Sequence, residues 1–266
     1  MSDYLFLVNV GDNIINSINL SKFIPNRRSK SWHEIEYKLG VFTQNTNSLK
    51  WNKIDEVEFN KSNNINLKST DYLLDVGQLA VVIPINIEFI FEKEYFILPE
   101  PIRRKIDLSP INDRANICFH KNNAFSSYMG EFPYQMSKIK GSHLSFDPLM
   151  KDVNRHIKNK FVFINIHSNK LKNKDSLEFS IANIKTKEKI LSQRYVLNSA
   201  CIINVQPEND VEICFYSKDS LGLPIFISYD DKYLSVEHTH PPSEYFWNNK
   251  MKGQQLLKTN WLSQLP

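Results

Sequence analysis

The sequence predicts an all-β protein: a β-sandwich-like C-terminal half, a β-rich N-terminal half and a short C-terminal helix. Three observations predict it. Apolar residues recur with a period of two in one short run after another, as they do in strands with one buried face. Turn-forming residues separate many of these runs at short intervals. A clear change to helical character comes only in the tail, 243–263.

Residues 3–10 form a short apolar run suited to opening a sheet. Residues 12–24 are ambiguous and compatible with a short helix. Residues 31–43 and 49–59 alternate as strands, carrying Trp32, Tyr37, Val41, Trp51, Val57 and Phe59. The Asn/Ser/Lys-rich stretch 60–69 reads as a loop. Residues 79–98 read as a hairpin: Val81, Ile83, Ile85, Ile87, Phe89 and Phe91 share one face, and Asn86, Glu88 and Glu92 the other. Glu92-Lys93-Glu94 is its expected turn. Pro84 has no N–H to give a ladder, which predicts an edge or a bulge there. Pro99, Pro101, the basic run Arg103-Arg104-Lys105 and Pro110 mark a linker, dividing the chain into 1–108 and 109–266.

The second region carries strand-like runs at 115–120, 125–136, 142–146, 161–167, 177–184, 188–197, 200–206, 211–217, 223–229 and 233–240. Turn signals between them include Lys121-Asn122-Asn123, Pro207-Glu208-Asn209-Asp210 and Asp230-Asp231. Many short strands with few helical patterns argue for a sandwich or barrel. In the tail, Ser243 suits an N-cap, and Leu256, Leu257 and Trp261 suit a helix seated on the sandwich.

Composition narrows the function classes. Apolar residues at 41% support a packed core, and a net charge of +4 from 33 basic and 29 acidic residues is too balanced to indicate nucleic acid. No run approaches the ~20 apolar residues of a membrane helix, and the N-terminus lacks the basic and apolar regions of a signal peptide. The three cysteines, Cys118, Cys201 and Cys214, each sit in an apolar run and read as buried free thiols. Together these features place the chain in the cytoplasm.

The most specific local feature is Glu237-His238-Thr239-His240-Pro241. Residues two apart in a strand share a face, so His238 and His240 point the same way. Two such imidazoles can chelate a divalent transition metal. The third ligand would come from His167 at the end of another strand, with His120, Asp230 and Asp231 as further candidates. Leu234 and Val236 lie on the same face, however, so the pair also reads as rim-of-core histidines. His-Thr-His-Pro resembles the core of the JAMM metalloproteases, in which a His-x-His-Pro element is followed by a serine and an aspartate ligand. The likeness covers four residues, and no aspartate follows Asp231 in this chain.

A second feature is the stretch 125–136, with Phe125, Tyr128, Phe132 and Tyr134 interleaved with Glu131 and Gln135 around Gly130. Aromatic faces beside amide and carboxylate groups suit a sugar shelf, with Tyr128, Tyr134 and Gln135 binding and Glu131 available for acid–base work beside Glu237. Arg114 and Arg194 are single arginines in β surroundings that suit carboxylate or phosphate ligands. The expectation is a non-catalytic recognition or accessory protein for a glycan or glycan precursor. One alternative is a sugar-directed, metal-assisted enzyme acting through Glu237, His238 and His240. The other is a structural β-sandwich protein that assembles as a homo-oligomer.

Overall fold

A computed structural model describes residues 4–20, 37–45, 48–58, 65–101, 115–129, 132, 142–146, 156–167, 176–205, 213–218, 222–238 and 252–266. It is mostly strand, arranged in antiparallel sheets, with one short C-terminal helix. The chain divides into two units. The first is Met1–Phe119 with Ser127–Tyr134 and Ser168–Lys170; the second is His120–Ser126, Gln135–His167 and Leu171–Pro266. Most of the predicted linker, residues 102–110, lies outside the described residues.

The first unit contains β1 (Leu5–Val8), β2 (Ile15–Leu20), β3 (Tyr37–Gln44), β4 (Trp51–Glu58), β5 (Ile65–Lys68), β6 (Leu79–Asn86) and β7 (Glu94–Tyr95). Next come β8 (Asn116–Lys121) and β9 (Ala124–Met129), whose connecting end belongs to the second unit. One sheet has the order β1-β6-β3-β4-β7 and the other β5-β2-β8-β9. Residues 12–24, read as compatible with a helix, contain β2 instead. Its centre, Asn16 to Ile18, is buried, and the polar Asn16 hides the strand pattern from a hydropathy reading. Asn16 is a buried staple: its Oδ1 accepts the Val8 N–H at 2.8 Å and its Nδ2 donates to the Cys118 carbonyl at 3.1 Å. Strand β5 corrects part of the predicted 60–69 loop. There Ile65 and Leu67 turn inward while Asn66 and Lys68 turn outward.

The predicted 79–98 hairpin does not form. β6 stops at Asn86, whose carbonyl accepts the Phe89 N–H and whose Oδ1 accepts the Glu88 N–H. β7 pairs with β4 and not with β6. The cause lies on β3. A Cβ at Gly40 would stand 2.5 Å from Phe91 Cε1, so the missing side chain opens a slot that the Phe91 ring fills. The Lys38 and Lys53 ammoniums each lie 5.1 Å from that ring's centroid, and both pair with Glu56 at 2.7 Å. Pro84 is accommodated because β1 pairs with β6 only as far as Val82, which leaves a local edge beyond it.

The second unit contains β10 (Ser142–Phe146), β11 (Lys158–Ile164), β12 (Ser176–Asn183), β13 (Lys189–Val196), β14 (Ala200–Val205), β15 (Ile213–Ser217), β16 (Leu223–Tyr229), β17 (Leu234–His238) and α1 (Lys252–Ser263). Two four-stranded sheets, β10-β15-β12-β13 and β14-β11-β16-β17, share one core. Phe161, Phe163, Cys201 and Phe226 come from one sheet; Phe179, Ile181, Tyr195 and Phe215 come from the other. The Phe215 ring lies 5.0 to 5.3 Å from those of Phe161, Phe163 and Phe179. Interlocked rings of this kind supply most of the burial a sandwich needs. On β11 and β16 the residues facing away from this core, Val162, Ile225 and Ile227, are buried too.

The predicted tail helix forms and seats on the outer face of β12 and β15. Trp261, Leu262 and Leu265 pack on Ala182, Cys214 and Tyr216. The Tyr216 hydroxyl donates to the Pro266 carbonyl and Lys218 Nζ to the Leu265 carbonyl, each at 2.7 Å. Leu256, an expected seat residue, faces solvent. All three cysteines are free and buried, as read.

Candidate functional site

β17 is the edge strand of its sheet. Register sets its two faces: Leu234 lies opposite Tyr229, Val236 opposite Ile227 and His238 opposite Ile225, whereas Glu237 lies opposite Phe226. Residues directly opposite share a face. Half-buried His238 therefore continues the apolar stripe of Leu234 and Val236, while the exposed Glu237 stands on the side of the phenylalanine core. His240 and Pro241 lie outside the described residues.

The open edge of β17 is met by the tip of the β8–β9 hairpin. The Val236 N–H donates to Ser126 Oγ at 3.2 Å, and Asn122 Nδ2 donates to the Asp231 carbonyl at 3.1 Å. Asn122 takes the left-handed conformation, φ 51°, which asparagine tolerates better than most residues. These two ties set Phe125 one residue from Ser126, beside the strand that carries Glu237. Phe125 is 56% exposed, and its ring rests on that of His120 with centroids 5.1 Å apart. The result is an aromatic face presented to solvent, backed by an imidazole. Polar Asn122, Asn123, Ser126 and Ser127 flank it in sequence, and Glu237 stands on the adjoining strand.

The same end of the unit holds Tyr229, a buried ring with Lys121 Nζ 5.3 Å and Lys160 Nζ 5.9 Å from its centroid. Asp230 is occupied in the turn: its Oδ1 accepts the N–H groups of Lys232 and Tyr233 at 2.6 and 2.7 Å.

His167 belongs elsewhere. Its N–H donates to Asn198 Oδ1 at 2.6 Å, and Asn198 lies in the turn leading into β14. His167 follows β11, which β16 separates from β17 in the sheet. The imidazole Nε2 is buried without a hydrogen-bond partner among the described residues. Desolvation lowers its pKa to about 4, so the ring is neutral at pH 7. Among the described residues no group of three or more His, Cys, Asp or Glu side chains could hold a metal ion.

The predicted shelf at 125–136 is divided by strand alternation. Phe125 and Ser127 are exposed, whereas Tyr128 lies on the other face with its hydroxyl buried and its pKa raised by desolvation. Phe132 is fully buried in the first unit, exchanging two backbone hydrogen bonds with Tyr4. Glu131, Tyr134, Gln135 and Arg114 lie outside the described residues. Arg194 is exposed on β13 opposite Glu178. A hydrogen bond from Ser192 holds the Glu178 carboxyl below its usual range, with Lys189 and Arg194 adding to the effect.

Sequence reasoning missed Ser126 and Asn122 as the ties that position this surface. No local signal reports them, because they join residues 110 and 109 positions apart. Comparisons with family models, curated proteins and solved structures find no match to this chain.

Proposed function

We propose that this is a non-catalytic recognition protein that binds a glycan or glycan precursor on the Phe125 surface of the second unit. The observation that carries the reading is the Phe125 ring, exposed yet braced by His120 and flanked in sequence by polar residues. A sugar presents C–H groups to an aromatic face and hydroxyls to the surrounding amides and carboxylates. Asn123, on the same hairpin, and Glu237, on the strand that the hairpin meets, are the groups that would supply those partners. Fixing the ring before the ligand arrives reduces the ordering cost of binding.

Glycan-array screening of the full chain, followed by calorimetry on the best hit, tests the reading. Phe125→Ala should weaken binding at least tenfold, about 1.4 kcal/mol, with Tm unchanged because the ring is largely outside the core. Glu237→Gln should weaken it less. No binding to any sugar, or binding indifferent to Phe125→Ala, would reject the proposal.

A further inference from the structure

We infer that the second unit forms a two-fold dimer by pairing its edge strand β13 with β13 of a second copy. β13 ends its sheet, and among the described residues no strand pairs with its outer side. A strand edge presents a row of backbone N–H and C=O groups, and another extended strand is what satisfies them in order. The open backbone therefore specifies the kind of occupant.

β13 differs from the other edges. β1 is buried throughout, and β14 is exposed at one residue only. The edge of β17 is met by the β8–β9 hairpin. β13 instead exposes six residues in a row, Lys189–Arg194. Both its faces are open, including Leu191 and Gln193, which lie opposite the core residues Ile181 and Phe179. Ile190, Leu191 and Val196 are 55%, 37% and 51% exposed. The register shift falls at Ile181/Ala182, so Leu191–Val196 keep a regular ladder that can accept a further strand.

The sequence of β13 matches itself. In an isologous antiparallel pair, centring the two-fold axis on Gln193 sets that residue against its own copy. Ser192 then meets Arg194, Leu191 meets Tyr195 and Ile190 meets Val196 of the second copy. Each exposed apolar residue gains an apolar neighbour, and the two Gln193 amides can each donate and accept. Centring on Ser192 would set Ile190 against Arg194, and centring on Arg194 would oppose two guanidiniums. The charges around the strand fit the first register. Arg194 has Glu178 opposite it on β12, and Lys189 Nζ lies 3.9 Å from Glu178 Oε1. The two Arg194 side chains fall on a diagonal, about 7–8 Å apart, each beside its own Glu178. Lys185, Lys187 and Glu188 in the turn before β13 come against the neutral end Leu197-Asn198-Ser199 of the second copy. Three partly exposed aliphatic side chains offer far less than the ~800 Å² per partner of a standard interface. Main-chain hydrogen bonds therefore carry the pairing, and the dimer is weak. It does not involve the Phe125 surface, which adjoins β17 in the other sheet.

Sedimentation velocity of the full chain, from the low micromolar into the millimolar range, should show monomer passing to dimer. Hydrogen exchange over Leu191–Val196 should slow as the dimer forms. Gln193→Lys and Gln193→Glu each set like charges face to face at the axis, and each should raise the dimer dissociation constant at least tenfold. Gln193 is exposed, so circular dichroism and Tm should be unchanged in both. Mixed in equal amounts, the two variants should associate at least tenfold more tightly than either alone, which pairing through any other surface would not produce. A monomer throughout the series, a dimer indifferent to Gln193→Lys, or a mixture no tighter than its components would overturn the inference.

Discussion

Acidification should weaken the second unit through one imidazole, His167. In the folded chain its pKa is about 4 because burial disfavours the charged ring; in the unfolded chain it returns to about 6.5. Between those values the unfolded state binds more protons, so stability falls as pH falls through that window. The loss amounts to about 2 kcal/mol between pH 7 and pH 4.5 and about 3 kcal/mol below pH 4. Against a typical total of 5–15 kcal/mol that is a large share. Replacing the ring with an apolar one of similar size, His167→Phe, should remove this component and cost little at pH 7, since Nε2 has no hydrogen-bond partner among the described residues. Urea unfolding at pH 7 and pH 4.5, followed by amide protection of residues 158–166, measures the difference in both proteins. Carboxylates that titrate in this range act equally in the two and cancel. If the wild-type chain and His167→Phe lose the same stability on acidification, the imidazole is not buried as described. An NMR titration placing its pKa near 6.5 would say the same.

Asn16→Leu should cost at least about 3 kcal/mol, because it strands the buried Val8 N–H and Cys118 carbonyl at once; urea denaturation measures it, and a loss below 1 kcal/mol would show that neither bond matters. Gly40→Ala should expel Phe91 and cost about 1–3 kcal/mol by overpacking. Hydrogen exchange over residues 87–93 should rise, and a second change, Phe91→Ala, should recover much of the loss; additive effects would deny the contact. Burial pushes the Cys201 thiol up to about 12, so iodoacetamide at pH 8 should label it only when the chain is unfolded. Rapid labelling of the native protein, located by peptide mapping, would contradict that burial.

The class of fold was legible because a strand with one buried face writes its orientation into the chain as a period of two. Most of the runs read as strands in the second half reappear as β8 to β17. The tail helix was legible for a related reason, and the cysteines because each sits in an apolar run. Reading failed where polar residues enter the core, as Asn16 does in β2, and where a glycine admits a distant ring. Gly40 decides that residues 87–93 cover β3 instead of extending β6, and nothing near Phe91 in the sequence announces it. At the candidate site, the sequence by itself determined that Glu237 and His238 point to opposite faces of one strand. Only tertiary structure decided which neighbours they have. Ser126 and Asn122 bring the Phe125 hairpin to β17, and sheet order sets β16 between β17 and the strand that leads to His167. Alternation is a property of a single strand, whereas neighbours across a sheet depend on pairing order, which the period of two leaves open.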